Sequence, residues 1–157
     1  MKKLDLGQTL QLLGNVGVIL GILLLVFELN QNRDMMRAQT RNELARGLND
    51  VLSLTISDPG LSEIIVRANA GEQLTPPESL RLVQRTELAF RYWENVHYQY
   101  RQDLYDESEF SRHADTIATV LTGSQNMLPF WCDQRLLYSV PFMEFIDELL
   151  AESECSK

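Results

Sequence analysis

Apolar positions fall into two regimes along this chain. From Leu10 to Leu29 only Gln11, Asn15 and Glu28 interrupt a run of 20 residues, and no polar side chain intervenes from Val16 to Phe27. As a helix rising about 1.5 Å per residue, the run is about 30 Å long, the thickness of a bilayer's hydrocarbon. Its 14 Leu, Ile, Val and Phe residues, at about −0.3 to −0.6 kcal/mol each, favour insertion by roughly 6 kcal/mol before the polar positions are set against them. Leu23 to Phe27 would cover every face of a helix, which argues against the single buried stripe of a soluble domain. Lys2 and Lys3 ahead of an apolar core also fit a signal peptide, but Glu28-Leu29-Asn30-Gln31-Asn32 holds no small-x-small cleavage site. The segment reads as an uncleaved anchor.

After residue 30 the period becomes that of partly buried helices, and no stretch alternates as a strand would. The anchor helix is expected to continue through Arg33, Arg37, Arg41, Leu44, Leu48 and Val51 until Asp58-Pro59-Gly60 ends it. A short helix from Pro59 to Ala70 should bury Leu61, Ile64, Ile65 and Ala68. Thr75-Pro76-Pro77-Glu78 is a capping box that opens the longest helix of the body, to Tyr105. On it Leu82, Thr86, Ala89, Trp93, Val96 and Tyr100 form one stripe and Val83, Phe90, His97 and Leu104 a second, so it should be central. Asp106 starts a helix to Leu121, a segment from Leu128 to Tyr138 follows, and a last helix from Ser139 to Glu152 buries Phe142, Ile146 and Leu149. The fold class is all-α, with a transmembrane helix, a stalk and a bundle of about five helices. The division is 1–9 tail, 10–29 membrane helix, 30–57 juxtamembrane stalk and 58–157 acidic bundle.

Charge sharpens that division. Residues 1–46 carry six basic and four acidic side chains, a balance of +2, and the remaining 111 residues carry 8 and 18, a balance of −10. A chain of net charge −8 repels nucleic acid, so the expected surface partner is the lipid bilayer. Lys2, Lys3 and the terminal amine oppose Arg33, Arg37 and Arg41 across the span, a near tie in positive-inside terms. Spacing of four puts those arginines on one helical face, suited to anionic headgroups of an inner leaflet. With Cys132 and Cys155 read as two free thiols far apart, compatible with a reducing compartment, this places the body on the cytoplasmic side of the inner membrane.

Gly7, Gly14, Gly17 and Gly21 lie along one side of the membrane helix, with Gly17 and Gly21 a GxxxG pair, and such a face lets helices approach. Gln11 and Asn15 on the adjacent strip would bond across copies, relieving Asn15 of desolvation. A homo-oligomer is therefore expected, and a pore gated by the acidic body is the alternative.

Chemistry is thinly marked. Glu94-x-x-His97 has di-iron spacing, but a dinuclear site needs a second such pair, and Phe110 stands three positions before His113, the other histidine. A zinc site on Glu94, His97 and His113 would remain, against a structural His97 beside Trp93 and Tyr100. There is no Gly-x-Ser-x-Gly elbow, no GxGxxG or GxxxxGK[ST] loop and no EF-hand spacing among Glu144, Asp147, Glu148, Glu152 and Glu154, which read as a solvated face. No cofactor or catalytic residue is expected, and the chain is not read as an enzyme. Tyr92, Trp93, Tyr98, Tyr100 and Tyr105 crowd one stretch. With Glu94, Asn95 and His97, the tyrosines 92, 98 and 100 make the candidate surface for a protein partner or small effector, set against a plain packed core.

Phe27-Glu28-Leu29-Asn30-Gln31-Asn32, Met36-Arg37-Ala38, Trp93-Glu94-Asn95-x-x-Tyr98-Gln99-Tyr100 and Tyr138-Ser139-x-Pro141-Phe142 together resemble a family of uncharacterised bacterial proteins, a domain of unknown function. The resemblance spans most of the chain and implies the anchored helical architecture, with no activity attached. Relatives there read Glu-Ile-Arg-Gln-Asn after the membrane helix, so Leu29-Asn30 departs from the pattern and loses a basic residue. It points to Glu28, Gln31, Asn32, Glu94, Asn95, Tyr98 and Tyr100 as positions to mutate. The function expected is a single-pass, membrane-anchored, self-associating binding, scaffold or regulatory module.

Overall fold

The computed structural model describes residues 6–150 and Cys155. Among them every regular element is helical: α1 (Leu6–Ser57), α2 (Pro59–Asn69), α3 (Pro76–Arg101), α4 (Glu107–Gly123), α5 (Met127–Gln134), a 3-10 turn (Arg135–Leu137) and α6 (Val140–Leu149). The expected all-α class, with one long amino-terminal helix followed by a small bundle, is what the chain forms. Lys2 and Lys3, and at the other end Glu152 and Glu154, lie outside the described residues.

Two compact units divide the chain between Gln39 and Thr40. In the first, every described residue is exposed, including all 14 large apolar side chains from Leu10 to Leu29, and its helix is long and apolar enough to cross a membrane. The second unit begins eighteen residues earlier than the expected bundle boundary. Thr40 and Leu44 are buried and Gly47, Val51 and Thr55 half-buried, spaced by three or four so that one face of α1 packs inward. The stretch 40–57, read as stalk, is thus part of the bundle.

Local chemistry sets the helix ends. Pro59 has no amide hydrogen to continue α1 and opens α2, whose first turn is capped by Asp58 Oδ1 accepting from the Leu61 amide at 3.1 Å. Gly71, at φ 76°, ends α2, with its amide on the Ala68 carbonyl and that of Glu72 on the Arg67 carbonyl, both at 3.0 Å. At α3 the Thr75 amide and hydroxyl both donate to Glu78 Oε2 at 2.8 Å. The other end of α3 is a correction: it stops at Arg101, not Tyr105. Asp103 takes φ 57°, its amide reaching the Tyr100 carbonyl and that of Leu104 the Gln99 carbonyl. An aspartate thus occupies the left-handed position that glycine usually fills.

Two hydrophobic clusters organise the second unit. Phe90 is central to the larger, with its ring 5.0 Å from Trp93 and 5.3 Å from both Phe130 and Trp131, and Ile117, Leu121, Phe142 and Ile146 are among its other buried members. The smaller joins Leu44, Val96 and Phe110, with Tyr92, Tyr100, Tyr105 and Phe145 against them. The first expected stripe of α3 is buried or half-buried along its length, whereas Val83 of the second is exposed and Leu104 lies beyond the helix. Ile65 and Leu149, expected inside, are half-buried, and Leu150 takes the inner place beside Leu149.

The cysteines are the other correction. Cys132 and Cys155 form a disulfide, with Cα atoms 5.2 Å apart, and no free cysteine is left. Trp131 Nε1 donates to Asp147 Oδ1 at 3.2 Å and Arg135 Nη1 to Asp147 Oδ2 at 2.9 Å. These contacts lay α6 beside α5 and bring the two sulfurs together across a separation of 23 residues.

Candidate functional site

The six residues expected to form a partner surface on α3 face different surroundings. Tyr92 is half-buried against α1, where a Cβ at Gly47 would lie 3.3 Å from its ring, so glycine there permits the approach. Burial, and then the nearby Tyr105, push its hydroxyl up to about 12. His97 is buried and stacks on Phe145 with centroids 4.7 Å apart. Burial lowers its pKa, assisted by Arg101 and opposed by Glu94. Tyr100 lies flat on Phe110, 3.9 Å between centroids. Only Asn95 and Tyr98 are exposed.

Glu94 has a structural task. Its Oε1 accepts from the Ser139 amide at 2.8 Å and its Oε2 from Arg91 Nη1 at 3.0 Å, which ties the N-terminus of α6 to α3. Burial pushes its carboxyl up, but Ser139 and Arg91 outweigh that and hold it below the ordinary carboxylate value. Arg91 also sits 4.4 Å over the Tyr138 ring. Glu94 and His97 are thus engaged in separate contacts. His113 packs near Tyr92, 5.6 Å between centroids, and among the described residues no three His, Cys, Asp or Glu side chains gather as a metal site would require.

On the first unit, a Cβ at Gly14, Gly17 or Gly21 would meet nothing within 4 Å, and Asn15, Glu28, Gln31, Asn32, Arg33 and Arg37 are exposed. Arg41, the last of that arginine row, is exposed and also makes an ion pair. Its Nη2 lies 2.8 Å from Glu109 Oε1 within the second unit.

Basic residues on α3 include a pair at a spacing of four, a signal legible in the sequence apart from its aromatic stretch. Arg81 and Arg85 stand one turn apart and open onto a groove of about 430 Å³ between the end of α1, the start of α2 and α3, also lined by Ser53, Leu54, Ser57, Asp58, Leu61, Gln84 and Leu88. Asp58 pairs with Arg81. The Leu61 amide and then Arg81 lower the Asp58 pKa. Arg85 makes no ion pair among the described residues, and its Nε is buried with no hydrogen-bond partner. No family model, curated protein or solved structure matches this chain.

Proposed function

We propose that this protein is a single-pass, membrane-anchored helical module that self-associates and acts by binding. The carrying observation is the contrast in exposure: the 20 residues from Leu10 to Leu29 leave every large apolar side chain open, while the unit from Thr40 onward closes its own aromatic core. A soluble chain does not leave so long an apolar helix in water. The open glycine side at Gly14, Gly17 and Gly21 supports association between copies. Separate commitments of Glu94 and His97 favour binding over catalysis. Kinship with the uncharacterised bacterial family rests on the motifs from Phe27 to Asn32 and Trp93 to Tyr100.

The Cys132–Cys155 bond supports a body on the oxidising face of the membrane rather than the cytoplasmic side. Lys2 and Lys3 would then be the inner flank, set against Arg33, Arg37 and Arg41 after the span. Alkaline extraction of membranes tests the anchor, and full release into the soluble fraction would overturn it. Mass in nanodiscs, with Gly17→Leu beside the native chain, tests association, a monomer in both refuting it. Gel shift by a maleimide-polymer conjugate, added to acid-quenched and denatured cells with and without prior reduction, tests sidedness, since labelling without reductant would show free thiols and return the body to a reducing compartment.

A further inference from the structure

The groove at Arg81 and Arg85 has the composition of a ligand site. Its volume, about 430 Å³, is in the range of small-molecule pockets, which combine apolar walls with a few convergent polar groups. Leu61 supplies a buried wall, and Leu54 and Leu88 remain 47% and 46% exposed, leaving apolar area for a ligand to cover. Charge is not balanced among the lining residues: two arginines accompany one carboxylate, Asp58, already engaged by Arg81. This is a local excess of +1 in a chain of net charge −8. Arg85 lines the groove with no ion pair among the described residues, and the planar fork of arginine matches a carboxylate in parallel hydrogen bonds. Ser53, Ser57 and Gln84 add neutral donors at the rim.

We propose that this groove binds a small monocarboxylate bearing a short apolar stem, its head on Arg85 and its stem along Leu54, Leu61 and Leu88. The proposal deepens the binding-module reading and rests on it for its biological sense, but not on membrane anchorage. Loss of membrane attachment would leave it standing, and silence of the groove would leave the anchor standing.

Calorimetric titration of the full chain in phosphatidylcholine nanodiscs, with empty nanodiscs as blank, tests it using hexanoate, hexanol and hexyl phosphate. Hexanoate should bind saturably at one site per chain and at least tenfold more tightly than hexanol. Arg85→Gln should weaken it tenfold or more, and Arg85→Lys by only a few-fold. If Arg85→Gln does not fold, Ser57→Glu serves instead: it supplies a carboxylate from the chain itself and should displace hexanoate, again by tenfold or more. Equal affinity for hexanoate and hexanol, no saturable uptake, or binding indifferent to both Arg85→Gln and Ser57→Glu would overturn the proposal. Tighter binding of hexyl phosphate than of hexanoate would overturn the carboxylate assignment in favour of a phosphate head, such as a lipid carries.

Discussion

Leu, Ile, Val and Phe dominate both the first unit's helix and the interior of the second, yet their surroundings are opposite. From Leu10 to Leu29 these side chains are 45% to 66% exposed, whereas Phe90, Val96, Ile117, Leu121, Phe142 and Ile146 are fully buried. The difference lies in the polar residues between them. In the second unit they recur often enough to give each helix an outer face, so the apolar residues have one direction to turn. In the first they are too few to make a second face, and the helix must find an apolar environment elsewhere. Composition decides that a residue seeks burial, and patterning decides whether its own chain can supply it.

Removing Trp131 should break this contrast most sharply. It is fully buried, packs on Phe90 and bonds to Asp147, so Trp131→Ala should destabilise the second unit by about 3–5 kcal/mol, read by thermal unfolding in micelles. Membrane attachment should persist for as long as the first unit acts on its own. Leu20→Arg is the converse. A charge at the centre of the span costs about 3 kcal/mol of insertion, so the fraction resisting alkaline extraction should fall while the melting temperature of the body holds. If the body melts earlier as well, the two units are coupled and the comparison fails.

Opening the Cys132–Cys155 loop, by reduction or by Cys132→Ser, should cost about 3 kcal/mol on the loop-entropy account, measured as the unfolding midpoint with and without reductant. Glu78 has the smallest effect. The Thr75 amide and hydroxyl, followed by Arg67, hold its pKa down to about 2 from 4.5. Its contribution is therefore complete above the unfolded value and lost as the pH falls through about 2. Glu78→Gln keeps a capping side chain and should flatten that part of the melting temperature against pH between 4.5 and 2.

The sequence declared its elements wherever a side chain had one physical option. Pro59, the Thr75 and Glu78 box and Asp106 each mark a helix start, and the structure starts helices there. Asp103 was not legible, because an aspartate reaches the left-handed region only when the surrounding contacts require it. The inner face of α1 from Thr40 to Thr55 was hidden by its partners, since Gly47 matters only once Tyr92 is beside it. The disulfide was hidden for the same reason, its two ends being brought together by Trp131, Arg135 and Asp147 rather than by any spacing. Among the candidate residues, burial of His97 and stacking of Tyr100 depend on Phe145 and Phe110, which lie on other helices. The pair Arg81 and Arg85 stood in plain view at a spacing of four, but a groove needs a second and a third helix to exist.

The Cys132–Cys155 bond also changes how the body would carry a load. A pull on the chain at Thr40 and at its carboxyl end travels through the backbone to Cys132, crosses the sulfurs and leaves at Cys155. The 23 intervening steps, α6 among them, stand outside the line of tension. Fully extended they would measure about 80 Å, a length withheld from any force-extension trace until the bond is reduced. The bond thus makes α6, with Tyr138 and Phe142 on either side of its start, a passenger under tension, and reduction turns the same helix into a link in series.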